Sequence, residues 1–340
     1  FLLAVGAGVL AAGYAYLVAA LVAALVAHVL LGRLLTLVGP VETDTSELLR
    51  FSAPLVVSSI LSMLLIQTDT LVLGYFQPST EVALYGAAYP LAWGLHLVLS
   101  AFGFVYLPMA SRLDAAGDHD ELHAVYADVA KWVVVLTFPG FLAFAAFPGD
   151  VLTVFFGARY AGGAPALVLL ATGFLVNAAA GRNRQTLSAL GHTAPLMVVT
   201  GAAFTLNLVA NLLLVPRHGL VGAAVASAAS YTALNLVVCA YLYRTFGIGP
   251  FARANLRTYV GLSLLLLPAA ALLSRATTLS APTLPVFLVG AGLASLAVVA
   301  AVGGLQADDA AVLSVVEDRL GRPLPLLRRL LPDDESETGR

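Results

Sequence analysis

The sequence predicts an all-α fold: a polytopic transmembrane helical bundle of about nine spans. Three observations predict it. The 340 residues are 60% hydrophobic and only 11% charged, against about 25% charge in a soluble domain. Apolar runs of about 20 residues, long enough to cross a bilayer as a helix, recur along the chain. The runs show no strand-period alternation of apolar and polar residues, and backbone groups in lipid must bond within their own segment, which leaves helices.

The spans fall near 8–31, 52–76, 84–108, 128–148, 164–188, 195–215, 219–243, 256–274 and 282–304. The sixth and seventh are separated only by "PRHG" (216–219), where Pro216 and Gly219 punctuate a turn. Before the fourth, "GDHDELHAVYADVAKW" reads as a helix start, with Asp118 as N-cap and Glu121 three residues on, as in a capping box. Pro54, Pro90, Pro139 and Pro195 lie in or at the ends of spans, where internal prolines kink helices and free carbonyls. The run 219–230, "LVGAAVASAAS" after its leading glycine, is a small-residue surface suited to close helix packing.

Charge sets the orientation. Fourteen of the seventeen basic residues fall in alternate connections, at span ends next to them, or in the tail; Arg159, Arg217 and Arg275 make up the other set. The positive-inside rule places the first set and the C-terminus in the cytoplasm. The tail 305–340 reads as amphipathic, then acidic, and able to lie on the inner leaflet. A net charge of −2 argues against a nucleic-acid partner. The single cysteine, Cys239, excludes a disulfide within the chain. The chain starts at Phe1 in an apolar run without a basic region before it, which reads as a piece of a longer protein rather than a signal peptide.

Candidate chemistry is sparse. Asp69 sits in "SMLLIQTDTLVLGYF" at a depth where a carboxylate costs about 2.5–3.5 kcal/mol on insertion scales. Two readings follow: a bundle-binding polar residue paired with a neighbour, or a cavity residue contacting substrate or a coupling ion, with Gln67, Thr68 and Thr70 giving its segment a wet face. Between Asp150 and Asp308 the chain has no acid but eight arginines, a bias that favours an anionic ligand by Coulomb attraction. Arg182 and Arg184 lie late in a helix and are candidates for a phosphate contact, or for snorkelling to headgroups. Asn177, Asn207 and Asn211 are candidate substrate contacts, with interhelical hydrogen bonding the alternative; Asn207 and Asn211 share a helix face. His119 and His123 are four apart, but a solvated helix face accounts for them, and no metal or cofactor site is expected. The sequence contains neither a phosphate-binding loop nor a nucleophile motif.

The order of "LLRFSAPLVVSSILSMLLIQTDTLVLGYF", "YGAAYPL", "LPMASRLDAAGDHDELHAVY", "VLTVFFGARYAGGAPAL" and "QTLSALGHTAPLMVVTGAAFTLNLVANLLLVPRHGLVGAAVASAAS" resembles the prokaryotic polysaccharide-biosynthesis flippases, the O-antigen type, over about residues 46–240. Their superfamily also holds the MATE multidrug exporters. The resemblance implies a fourteen-helix parent of two six-helix lobes and two extra helices. Residues 1–31 would then be the last helix of the first lobe, 32–51 a cytoplasmic linker, 52–243 the second lobe and 256–304 the final pair. Asp69 takes the place of a polar residue in a lobe's first helix. Gly157 and Tyr160 match a "G-x-x-Y", Gly191 an "A-L-G" turn, and Asn207, Asn211 and the run from His218 to Ala224 further positions. The implied activity is translocation of a lipid-linked anionic glycan by alternating access in the cell membrane, without enzymatic chemistry, coupled to glycan-assembly enzymes. A cation-coupled multidrug exporter and a membrane-embedded sugar transferase or polymerase stay open as alternatives.

Overall fold

The computed structural model describes residues 8–34 and 45–304. The chain divides into two compact units, Phe1–Leu49 and Arg50–Arg340. In the first, α1 (Gly8–Leu34) carries only His28 and Arg33 as titratable side chains besides Tyr14 and Tyr16. A helix apolar on every face suits lipid rather than water. Of the expected linker 32–51, α1 reaches Leu34 and α2 (Thr45–Phe76) is helical from Thr45; residues 35–44 lie outside the described residues. The tail 305–340 also lies outside them.

The second unit continues with α3 (Ser79–Ala116), α4 (His119–Ala146), α5 (Pro148–Phe156), a 3₁₀ turn (Ala158–Gly163), α6 (Ala164–Ala179), α7 (Asn183–Ala189), α8 (Thr193–Phe246), α9 (Arg253–Ala276) and α10 (Thr283–Ala301). No strand occurs among the described residues. Among the described residues seven helices are long and apolar enough to cross a membrane, and the chain is a multi-pass membrane protein. α6 is the hub, packed against α3, α4 and α8, while α9 and α10 pack on α4. The core around it holds Leu73, Tyr85, Phe138, Leu170 and Phe174.

α8 has 54 residues, about 80 Å if straight, far more than a bilayer core of about 30 Å. It is bent back at Gly219, whose backbone (φ 52°, ψ −134°) is open to glycine and strained for any other residue. A Cβ at Gly222 would stand 2.7 Å from the Leu214 carbonyl, so the two arms lie against each other. The bend frees backbone groups, and both are claimed by α3 and its approach. Gln77 Nε2 donates to the Val215 carbonyl (2.7 Å), and the Leu220 N–H donates to Glu81 Oε2 (2.9 Å). A carboxylate suits the positive N-terminal end of the second arm. The small-residue run then packs closely: Ala223, Ala224 and Ala226 are buried, and a Cβ at Gly173 of α6 would reach the Ala228 backbone at 2.9 Å.

Local signals behave as read. Asp118 Oδ1 accepts the Glu121 N–H (3.1 Å) at the start of α4. After Gly157 (φ 97°), Tyr160 donates its N–H to the Gly157 carbonyl and lies under Arg159 (5.1 Å to the ring), which is what the G-x-x-Y pattern builds. Gly191 (φ 75°) closes α7: its N–H donates to the Ser188 carbonyl and the His192 N–H to the Leu187 carbonyl, a Schellman-type stop. The span read at 164–188 falls within one membrane-length segment, Ala158–Ala189, but its helix is interrupted at 180–182 around Gly181 (φ 63°), where a Cβ would meet Ala130 at 2.9 Å. Tyr126 of α4 donates its hydroxyl to the freed Ala180 carbonyl at 2.5 Å.

Candidate functional sites: a sealed carboxylate and an arginine-lined cavity

Leu65, Asp69, Val72 and Leu73 fall three and four apart on the inner face of α2, and all are buried. Asp69 is completely enclosed. Its Oδ2 accepts from the Tyr85 hydroxyl (2.5 Å) and the Ser227 hydroxyl; its Oδ1 accepts from Asn211 Nδ2 (2.8 Å) and Asn207 Nδ2 (3.2 Å). Four donors from α3 and both arms of α8 thus replace the water that a buried carboxylate loses. Asn207 Oδ1 and Asn211 Oδ1 beside it are buried and have no hydrogen-bond partner among the described residues. Thr68 returns its hydroxyl to the Leu64 carbonyl (2.6 Å).

Gln67 is exposed, as is Thr70. Two residues from Asp69 on a helix, Gln67 points about 200° away. The structure therefore does not place Gln67 with the carboxylate, and the wet face read around Asp69 is two separate faces.

The second site is a cavity of about 590 Å³ between α2, the middle of α3, and the break between α6 and α7. Arg182, Arg184 and Asn177 all line it, with Ser58, Ser62 and Ser100 among the opposing groups. Arg182 is tied down. Its Nη1 donates to the Leu99 carbonyl (3.0 Å), its Nε donates to Gln185 Oε1, and the guanidinium occupies the notch left by Gly103. Arg184 is half-buried, lines the cavity and also a smaller inner chamber of about 60 Å³, and its guanidinium has no hydrogen bond among the described residues. The helix break makes this possible: Gly181 turns the chain so that Arg182 and Arg184 leave the helix axis at the cavity wall.

The structure thus splits the sequence-derived candidates. Asn207 and Asn211 bond Asp69 and are absent from the arginine cavity; Asn177 is in the cavity. Tyr85, Ser227 and His96 were not singled out from the sequence, because each is one polar residue in an apolar run and only packing pairs it. His119 bonds Asp114 (3.2 Å), and His123 accepts the Gly249 N–H (3.1 Å), so the two face different partners.

Both sites sit in a membrane bundle whose ordered motifs resemble a flippase family, and comparison with known proteins finds the same likeness. Residues 1–165 match the family of polysaccharide biosynthesis proteins. The resemblance read from residues 46–240 stands, with the match starting earlier and ending sooner. The chain is 26% identical over 210 residues to a probable low-salt glycan biosynthesis flippase of Haloferax volcanii, covering 61% of this chain and 44% of that protein. It is 30% identical over 175 residues to an uncharacterized membrane protein of Methanocaldococcus jannaschii, covering 50% and 34%. The chain therefore spans less than half the length of these curated relatives. Its fold is similar to that of a MOP superfamily transporter from Pyrococcus furiosus, with a TM-score of 0.50 and 16% identity over 75% of this chain and 63% of the other.

Proposed function

We propose that the protein is a flippase of lipid-linked glycans, working by alternating access, of which residues 52–243 form the second six-helix lobe and 256–304 the two extra helices. One observation carries the reading: a 590 Å³ cavity with two arginines and a wall of serines. Such a cavity fits a phosphate-bearing, hydroxylated headgroup, since guanidinium forks match phosphate oxygens and hydroxyls match sugar. The named activity of the Haloferax relative supports the same class. The arginine-rich connections lie at the cavity's end of the bundle, so the positive-inside rule puts its mouth on the cytoplasmic face of the cell membrane, together with the C-terminus. The lipid tail stays in the bilayer. The transport step makes and breaks no covalent bond, and enzymes that assemble the glycan supply the substrate.

Asp69 is the candidate for ion coupling: two amide oxygens without a hydrogen-bond partner among the described residues, Asn207 Oδ1 and Asn211 Oδ1, stand beside its carboxylate. A cation or a proton could be held there while the lobes rock.

The test is reconstitution of the full-length protein in vesicles with a fluorescent lipid-linked oligosaccharide. Replacing Arg182 and Arg184 together by alanine should slow translocation about tenfold or more, equivalent to about 1.4 kcal/mol of binding. Unchanged translocation by the folded double variant would end the phosphate-contact assignment.

A further inference from the structure

The cavity wall contains a chain of side-chain amides whose polarity can be read. The Arg184 backbone N–H can only donate, and it donates to Asn183 Oδ1 at 2.6 Å. That leaves Asn183 Nδ2 to donate, and it reaches Asn235 Oδ1 at 3.0 Å. Asn235 Nδ2 donates to the Tyr231 backbone carbonyl (2.9 Å), which can only accept, and to Asn177 Oδ1 (3.0 Å). Asn177 Nδ2 stands 3.0 Å from His96 Nδ1. With its carbonyl oxygen already used, Asn177 must be the donor there. Two backbone groups of fixed polarity therefore orient every amide between them.

The consequence falls on His96. Its Nδ1 accepts, so it carries no proton, the ring is neutral, and its hydrogen is on Nε2. His96 is half-buried, lines both the arginine cavity and the inner chamber, and has Trp93 at 5.8 Å and Phe174 at 6.5 Å between ring centroids. Nε2 has no hydrogen-bond partner among the described residues. The chain starts at the backbone N–H of Arg184, whose guanidinium lines the same cavity, and ends on a second donor there.

We propose that His96 is a ligand-contacting residue: its Nε2–H, presented by the Asn183–Asn235–Asn177 chain, donates to a phosphate oxygen held by Arg184. This rests on the anionic-headgroup reading above. A neutral donor adds a directional hydrogen bond without placing a third positive charge beside Arg182 and Arg184, whose mutual repulsion a charged ring would increase. Residues 177, 183 and 235 are positioning residues in this scheme: they hold the tautomer, and Asn177 and Asn183 also form part of the cavity wall.

Two side chains separate the two ring nitrogens. His96→Asn places an amide near the Nδ1 position, keeping a partner for Asn177 but offering nothing further into the cavity. His96→Gln extends an amide donor near the Nε2 position. With the full-length protein in detergent and inorganic pyrophosphate as the probe, calorimetry should show about fivefold weaker binding for His96→Asn, the size of one neutral hydrogen bond, and binding within about twofold of wild type for His96→Gln. Nitrogen NMR of the unmodified protein, which needs no variant to fold, should show the Nε2–H tautomer at His96. Wild-type affinity in His96→Asn, or the Nδ1–H tautomer, would overturn the assignment while leaving the flippase reading intact. If the unmodified protein carries a lipid-linked glycan yet binds no pyrophosphate, the anionic-headgroup reading fails, and this inference with it.

Discussion

Asp69 and Arg184 are both charged groups set among apolar helices, and the bundle treats them oppositely. The carboxylate is enclosed and receives four donors; the guanidinium is left facing a cavity. The contrast extends to the two arginines, since Arg182 is bonded to Leu99 and Gln185 while its neighbour is not. A group whose charge is met within the fold holds helices together. One left unmet, at the edge of a volume large enough for a ligand, is available for binding.

The sharpest way to break this comparison is Asp69→Ala. It would strand the Tyr85 and Ser227 hydroxyls and the Asn207 and Asn211 amides in the core, and it should cost at least about 3 kcal/mol. Thermal unfolding in detergent reads this directly, and a melting temperature unchanged from wild type would refute the view of Asp69 as a structural knot. Next in size, Arg182→Gln should lose about 1–2 kcal/mol by abandoning the Leu99 carbonyl, whereas Arg184→Gln should stay within about 0.5 kcal/mol. The reverse ranking would exchange the roles assigned to the two arginines. Gln67→Leu should have the smallest effect, within about 0.5 kcal/mol, because Gln67 faces away from the site; a loss comparable to that of Asp69→Ala would place it back in the carboxylate's network.

Much of the fold was legible because its signals are local. Apolar length sets a span, Asp118 and Glu121 start α4, and glycines at 157, 191 and 219 turn the chain at positive φ. The break at 180–182 was missed since "NAAAGRNRQ" reads as continuing helix; what favours the break is contact with Ala130 and the Tyr126 hydroxyl, some fifty residues away. Glu81 caps the second arm of α8 by accepting the Leu220 N–H, a pairing of residues 139 apart in sequence. Of the sites, the individual candidates Asp69, Arg182 and Arg184 stand out by type and depth. Their division into two places does not, because residues 69, 85, 207 and 227 meet only through packing.

The sequence by itself determined that this is a membrane bundle, where most of its helices turn, and which family its first 165 residues match. These follow from solvent preference and backbone sterics, which each short segment expresses alone. Only the tertiary structure decided that Asp69 is sealed, that Arg184 is open, and that His96 joins it. Hydrogen-bond partners and cavities are relations between distant residues, and they come into being when the helices pack.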